Sequence, residues 1–547
     1  MNLFSLTDFE DSPGRQRVML CCAILLSYAS IWQNTFVFDD APLIVRNEFL
    51  KHWDKIPDLL TRLNFEGAGI GGGFYRPLPM LLHFFIYQAF GPAPAVFHAL
   101  NLSLQVLNAC LLHHFGIRAG FKKSVAFAAA LLWAVHPLHT EAVAYMSSTP
   151  ELLWSTFCLL GLIALLPDFT PLKIGKAMIF FMLTLACKES AVVFPALAAV
   201  TLFLTDKNRP PLPAYLKIWP LFLLSAVYIG VHLIFLSKSE LGMQDAVNPE
   251  FFRDYTSNFF NRLLTCLATL PVYARLIFWP TGLHMERLFP VFTTVLKWQP
   301  ATGLMIVALF VFQILQGRAS ALTFGLLWFA VAQSPNTGIA LPINALISEH
   351  WMYVPTMGLF LGGVQTAADA LGKKRDASII VLFLLAFILG CATFRQTQTW
   401  RNPETFYQNV FQNGGDVSRL RDLLGVFYME QRQFDKAADE FRDVISHPSK
   451  NATPLWTAET HINLAMALLQ VQANEGYDVS IDEVNRVLPS SPYIPEAIAE
   501  LGKALQADPE GDWGHIVLAA IYRYQGNKPM AAFHENQAGN IRQKRGH

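Results

Sequence analysis

Two adjacent carboxylates, Asp39 and Asp40, follow the first long apolar run of the chain, near residues 17–33. Acids placed where a chain leaves a bilayer are costly unless solvated, paired or used. One could take a proton from an acceptor hydroxyl while the other orients it or holds a cation; a helix cap or a turn is the competing use. Arg76, in Phe74-Tyr75-Arg76-Pro77-Leu78, offers a guanidinium suited to a pair of phosphate oxygens, or a simple interfacial anchor. The glycines from Gly67 to Gly73 before it lack the Lys-Ser/Thr of a phosphate-binding loop and read as a flexible connection. His136-Pro137-Leu138-His139-Thr140-Glu141 could position an anion or an acceptor; its proline spoils helical metal-ligand spacing. Lys188-Glu189 brings a cation to a helix end, or forms a self-neutralising ion pair.

These residues need elements to carry them, and composition says which. Only 15% of the 547 residues are charged, against about 25% in ordinary soluble domains. The charges are also uneven: residues 401–547 hold 33 of the 82, leaving 49 in the first 400. A lipid-dissolved body over 1–400 therefore carries a polar tail over 401–547. The net charge is zero overall, which gives no sign of a nucleic-acid partner. All seven cysteines lie in apolar stretches, so no disulfide framework or zinc spacing is present. The run after Arg15 and Arg17 has no small-residue cleavage site and reads as a retained membrane helix.

Apolar runs able to cross or nearly cross a bilayer lie near 17–33, 96–116, 124–136, 151–167, 177–205, 218–236, 258–280, 303–317, 320–334, 351–368 and 378–394. The run at 177–205 is two short helices meeting at Lys188-Glu189, because both charges in mid-bilayer would cost several kcal/mol. His98, Asn101, Gln105 and Asn108 recur at helical spacing on one face of the 96–116 run, a stripe that must avoid lipid. Basic residues mark the cytoplasmic loops: Arg15 and Arg17; Arg118, Lys122 and Lys123; Lys173 and Lys176; Lys207, Arg209 and Lys217; Arg318; Lys373, Lys374 and Arg375. The alternation closes if 78–90 and 258–280 do not cross completely, with 47–64 and 78–90 as outer juxtamembrane helices. Every polar cluster above, the 237–257 loop, Glu349-His350 and the tail then face the non-cytoplasmic side.

From about 401 the pattern becomes amphipathic helices of 12 to 15 residues. Leu424-Gly425, Tyr428, Ala437-Ala438, Phe441 and Pro448 follow a tetratricopeptide order, with degenerate later copies. Such a short solenoid ordinarily holds a peptide or protein; a helical spacer is the plainer reading.

In this order, Phe38-Asp39-Asp40, Tyr75-Arg76-Pro77-Leu78, His98 with Asn101, His136 to Val143, Cys187-Lys188-Glu189 and Glu349 to Pro355, followed by the repeats, resemble the TMTC family. These are transmembrane and tetratricopeptide repeat-containing O-mannosyltransferases, related to protein O-mannosyltransferases and the wider GT-C glycosyltransferases. The resemblance implies an all-α, polytopic GT-C membrane fold of about ten or eleven membrane helices with a tetratricopeptide-repeat solenoid behind it. It implies inverting transfer of mannose or a similar hexose from a polyprenyl- or dolichyl-phosphate carrier to Ser or Thr hydroxyls of a protein held by the repeats. By that match Asp39 is the base and Asp40 its partner, and Arg76, Lys188 and His350 face the donor phosphate. Tyr75, His98, Asn101, His136, His139, Glu141, Glu189, Glu349 and Tyr353 position acceptor or sugar. Where the family reads Glu-Arg-x-x-Tyr-x-Pro-Ser, this chain has Glu349-His350-Trp351-Met352-Tyr353-Val354-Pro355-Thr356, so a histidine stands where a permanent cation is expected.

A monophosphate leaving group needs less help from a metal than a pyrophosphate, so no obligatory cation or other cofactor is expected. Two other readings stand beside this one: a transferase acting on a glycan or lipid acceptor, and a non-catalytic scaffold or transporter with a docking domain. A transporter would show broken helices and midplane charges in two matching halves; here the charges gather at the outer rim. Short loops and a compact tail point to a bacterial inner membrane with a periplasmic site and repeat domain, with an endoplasmic reticulum membrane and luminal site, and the sequon Asn451-Ala452-Thr453, as the alternative.

Overall fold

The computed structural model describes residues 12–70, 73–205, 215–235, 255, 258–316, 320–340, 342–343, 345–371, 375–415, 417–448, 453–470 and 492–545. Gly71, Gly72, Lys207, Arg209, Arg318, Lys373, Lys374, Asn451, Ala452 and nearly all of the 237–257 loop lie outside them. Among the described residues every regular element is helical. The chain forms two compact units, Met1–Phe406 and Tyr407–His547.

In the first unit the long helices are α1 (Pro13–Ser27), α2 (Ile56–Thr61, a short one), α3 (Pro77–Phe90), α4 (Pro94–Arg118), α5 (Lys123–Ala134), α6 (Thr140–Ala144, also short) and α7 (Thr149–Leu165). They continue with α8 (Pro171–Leu185), α9 (Phe194–Thr205), α10 (Trp219–Phe235), α11 (Phe259–Phe278), α12 (Trp298–Leu315), α13 (Ala321–Gln333), α14 (Tyr353–Leu371) and α15 (Arg375–Gln398). Proline within the first two positions starts α3, α4, α7 and α8, where its missing N–H leaves no donor wasted. The expected helix over 47–64 is instead two single 3₁₀ turns, Glu48–Leu50 and Trp53–Lys55, followed by α2. Asn47 breaks it: its side chain accepts from Phe49 N and donates to Asn64 O, a local turn that competes with helix.

Four described helices are long and apolar enough to cross a membrane, Pro94–Arg118, Met146–Leu165, Trp298–Leu315 and Ile379–Gln398, with shorter apolar helices at Lys123–Ala134, Glu189–Leu204 and Trp219–Ile234. Trp298–Leu315 and Ile379–Gln398 leave most of their apolar surface outside the packed interior, as lipid-facing helices do. The interior is built on α4, α5, α7 and α14, with Trp133, Trp154, Phe115 and Leu162 wholly buried. α13 and α14 meet at a glycine seam: a Cβ on Gly325 would stand 2.6 Å from Gly358 O, and one on Gly362 only 2.3 Å from Ala321 O. Small residues there let the backbones touch, which is how apolar helices associate without a hydrophobic driving force.

Arg17 and Arg118 lie together near the last turns of α4. Arg17 Nη2 is 3.4 Å from His114 Nδ1, His113 Nε2 is 2.9 Å from Gln16 Oε1, and Arg118 donates to Leu166 O at 2.6 Å. α4, with its 25 residues, runs about 37 Å from that end to the other at ~1.5 Å per residue. There the chain between α5 and α7 bends through a 3₁₀ turn at Pro137–His139, α6, and a second 3₁₀ turn at Met146–Ser148.

The second unit contains α17 (Val417–Glu430), α18 (Phe434–Ser446), α19 (Pro454–Leu468), α20 (Ile494–Ala507), α21 (Asp512–Tyr524) and α22 (Lys528–Arg545), with α16 (Pro403–Gln412) leading into it. Consecutive helices pack on one another. Gly425 lies so close to Phe441 that a Cβ would meet its ring at 2.6 Å, and Ala437, Ala438 and Phe441 are buried. Arg421 joins α17 to Glu440 of α18 at 2.7 Å.

Candidate active site

The segment from His136 to Glu151 is a spine, and the polar clusters of the first unit hang from it. Its central part receives the two acids. Asp40 is wholly buried; Oδ1 accepts from Ser147 N at 2.9 Å and Ser147 Oγ at 3.2 Å, and Oδ2 accepts from Val37 N at 3.3 Å. Burial pushes its carboxyl up to about 8, against the pull of those donors, and the neighbouring Asp39 charge adds to the rise. Asp40 is therefore largely uncharged at neutral pH and adds no second like charge beside Asp39. Asp39 remains half-buried. Phe38, just before it, holds φ at +52°, a conformation that a bulky residue adopts only where its surroundings impose it. The imposing contacts are visible: Thr35 N donates to Arg401 O at 2.8 Å, Asn34 Nδ2 to Thr397 O at 3.1 Å, and the Phe38 ring lies 6.1 Å from Phe406. Tyr145, buried beside Trp400, has its phenol pushed well up by burial and by the charges of Asp39 and Asp40.

At the far end of the spine, Glu151 forms an ion pair with Lys188, both fully buried. Arg76 is forked onto Glu189, Nε to Oε2 at 3.1 Å and Nη2 to Oε1 at 2.7 Å, and lies 4.1 Å over the Phe74 ring. Of the two readings of Lys188-Glu189, the self-neutralising pair does not form: each residue pairs with a partner in another element. Successive side chains of an extended residue pair point apart, so each finds a partner elsewhere; the extended backbone at Lys188 does this. Leu78 N donates to Ala186 O at 3.2 Å and Ser190 Oγ to Asn336 at 3.2 Å, which fixes the hairpin tip to α3 and to the 3₁₀ turn after α13. Tyr75 stands apart, with its hydroxyl on Leu60 O at 2.8 Å.

The near end of the spine meets residues 348–350. Glu141, buried, accepts from His350 Nδ1 at 2.6 Å, Ser348 Oγ at 3.1 Å and Glu349 N at 3.1 Å. Burial would raise its carboxyl, but His350 and these donors hold it below the ordinary range. Glu349 in turn accepts from His284 N at 2.8 Å and forms an ion pair with Arg287. A permanent cation does stand in this cluster, supplied by Arg287.

His136 and His139 serve as pins. His136 Nε2 donates to Ile277 O at 2.9 Å while Nδ1 accepts from Leu138 N at 3.2 Å; His139 Nδ1 donates to Trp133 O at 2.8 Å, with Nε2 3.0 Å from Thr356 Oγ1. Burial takes them down to about 4 and about 3, so both imidazoles are neutral and neither offers the charge that a departing phosphate would want. The polar stripe of α4 is likewise an internal fastening. Asn101 donates to Val143 O at 3.2 Å and accepts from Thr149 Oγ1 at 2.8 Å; Gln105 donates to Ala134 O at 3.0 Å; Asn108 donates to Leu152 O at 2.9 Å and to the Tyr353 hydroxyl at 3.1 Å, which itself donates to Gln105. His98 is wholly buried on the same stripe beside the backbone of Asn34.

Sequence reasoning missed Tyr145, Ser147, Glu151, His284 and Arg287. Glu151 had a signal, a carboxylate in the first turn of an apolar helix, which demands a partner. Arg287 sits in an irregular loop with no motif around it. Among the described residues no group of three or more His, Cys, Asp or Glu side chains converges to hold a metal ion.

No family model matches the chain, and no solved structure matches it. Curated relatives do. A Caenorhabditis elegans protein O-mannosyl-transferase is 22% identical over 407 residues, 72% of this chain and 57% of the relative. Human protein O-mannosyl-transferase TMTC3 is 23% identical over 509 residues, 84% of this chain and 54% of the relative. Human protein O-mannosyl-transferase TMTC1 is 34% identical over a shorter 160 residues, 28% of this chain and 18% of the relative. The chain spans a little over half the length of the relatives that it matches most extensively. Over most of its length, then, the chain is similar to TMTC-type protein O-mannosyl-transferases.

Proposed function

We propose that this chain is an integral-membrane glycosyltransferase that moves mannose or a similar hexose from a polyprenyl- or dolichyl-phosphate carrier to a Ser or Thr hydroxyl of a protein acceptor. The observation that carries the reading is the pair at 39 and 40, one acid locked and largely neutral, the other half-buried and presented by a forced left-handed Phe38. The names of the relatives, protein O-mannosyl-transferases, support the reaction class.

In this reaction the acceptor oxygen attacks C1 of the hexose from the face opposite the phosphate. The C1–O bond to phosphate breaks, its electron pair leaves with the phosphate, and the hydroxyl proton passes to the Asp39 carboxylate. Attack from the opposite face inverts C1. Donors and cations aimed at the charge that develops on the phosphate lower the barrier; Arg76 and Lys188 take that role, sharing their charge between the phosphate and Glu189 and Glu151. Asp40 holds Asp39 in place through Ser147. The second unit presents the acceptor, and site and repeats lie on the non-cytoplasmic face, periplasmic or luminal.

The test is transfer by the purified full chain in nanodiscs, with polyprenyl-phosphate mannose and Ser/Thr peptides, read by mass spectrometry of the peptides. Hexose on a hydroxyl side chain, lost in Asp39→Asn, is the expected result. No transfer from any lipid-phosphate hexose rejects the reaction; undiminished transfer in Asp39→Asn rejects the base.

A further inference from the structure

The loop between α11 and α12 brings Arg287 to the cluster of Glu141, Ser348, Glu349 and His350. Arg287 is nine-tenths buried. Its Nη2 is committed to Glu349 and to Gly282 O at 3.0 Å, yet its Nε is buried with no acceptor. A buried charged donor without a partner costs on the order of 1–3 kcal/mol or more, so such a group in a native fold calls for an explanation. The loop that holds it is fixed on both sides: Gln396 Nε2 donates to Leu283 O at 3.1 Å before Arg287, and Phe292 N donates to Thr265 Oγ1 at 3.0 Å after it. The guanidinium is therefore aimed, and its open donor is a property of the built cluster.

Charge decides what would satisfy it. Glu141 and Glu349 stand against one guanidinium and one imidazole, and burial together with the Glu141 charge pushes the Glu349 carboxyl up to about 8 despite Arg287, so the cluster already resists a second negative charge. A phosphate would bring further negative charge into a cluster that already disfavours ionisation of Glu349, and is the poorer fit. A neutral polyol is not: its hydroxyl oxygens accept from Arg287 Nε, and its O–H groups donate to carboxylate lone pairs and to His350. His350 is the more exposed edge of the cluster, 19% open against 0 to 10% for Glu141, Glu349 and Arg287, which leaves a side from which a sugar can enter.

The geometry points to Arg287, with Glu349 and His350, as a subsite for the hydroxyls of the transferred hexose, separate from the groups that hold the phosphate. This rests on the reading of the chain as a lipid-phosphate hexose transferase and names the part of the donor that this cluster takes. Arg287 acts here as a binding residue for the sugar, and His350 faces sugar hydroxyls in place of the phosphate.

The experiment compares binding of polyprenyl-phosphate mannose and sugar-free polyprenyl phosphate to the full chain in nanodiscs by native mass spectrometry. Arg287→Lys keeps a positive charge for Glu349 but has no Nε donor in a planar fork; Glu349→Gln is the second variant, in case the first fails to fold. The expected result is a loss of roughly tenfold or more in affinity for the mannosyl lipid, with binding of the sugar-free lipid unchanged. Equal weakening of both lipids places the phosphate at Arg287 and overturns the assignment. No weakening of either overturns it as well. Wild-type protein that binds neither lipid removes the transferase reading itself, and this subsite with it.

Discussion

Asp40 reaches across to Ser147 and accepts both its backbone N–H, at 2.9 Å, and its hydroxyl, at 3.2 Å, so the acid that follows α1 is fixed to the start of α7. Asp39, one residue earlier, stays half-buried. The two acids therefore separate by assay. Under the proposed reaction Asp39→Asn should abolish transfer without lowering the thermal midpoint of unfolding. Asp40→Ala lowers stability by about 1–3 kcal/mol, because it strands a buried N–H. Thermal unfolding and peptide glycosylation measured on both variants check the separation; an Asp39→Asn protein that unfolds early would place that residue in the structure instead.

The pH dependence of stability follows from Asp40. Its folded-state carboxyl is raised to about 8, while in the unfolded chain it ionises near the ordinary aspartate value of about 4. Its contribution is fully present below about pH 4 and is lost progressively as the pH rises to about 8. Thermal midpoints of the wild type minus those of Asp40→Asn, taken from pH 4 to 9, should fall across that window. A flat difference would show that Asp40 is solvated.

Arg76 is paired with Glu189, so in the proposed reaction a donor phosphate would have to compete for it. If phosphate binds there, Glu189→Gln frees the guanidinium and lowers KM for the lipid donor several-fold. If Glu189 serves to aim Arg76, the same variant raises KM. Steady-state kinetics with varied donor distinguish the two, and no change in KM removes Arg76 from the donor site.

Lys188 and Glu151 are a buried pair, 4% and 2% exposed. Removing one partner leaves an uncompensated charge, so Lys188→Met should destabilise by about 3–5 kcal/mol, while Lys188→Met with Glu151→Leu recovers most of that loss. Thermal unfolding of the single and double variants is the measurement. Equal destabilisation of both would mean that Glu151 left without Lys188 costs the fold nothing.

The glycine seam between α13 and α14 admits no side chain at Gly362, where a Cβ would meet Ala321 O at 2.3 Å. Gly362→Val should cost about 1–3 kcal/mol through forced separation of the helices. Gly363, with open space around its Cα, should accept alanine with little effect. Detergent-resistance half-lives of the two variants make the comparison, and similar half-lives would deny the close contact.

Much was legible without coordinates because it depends on single residues in their local solvent. Charge depletion over the first 400 residues and a helical polar stripe each follow from what one segment must do in lipid or water. The stripe shows the limit of such reasoning. His98, Asn101, Gln105 and Asn108 had to avoid lipid, but whether they face a cavity or neighbouring backbone depends on what packs there, and Val143, Ala134 and Leu152 carbonyls do.

Sequence alone determined that this is an all-helical membrane chain with a polar helical tail, and which side chains are too costly to be accidental. Only the tertiary structure decided their partners. Lys188 turned to Glu151 and Arg76 to Glu189, and Arg287 filled the place that His350 left without a permanent charge. The physical reason is that an ion pair is chosen by distance in space. Distance in space is set by how α3, α7, α8 and the loop after α11 converge, and no short stretch of residues encodes that convergence.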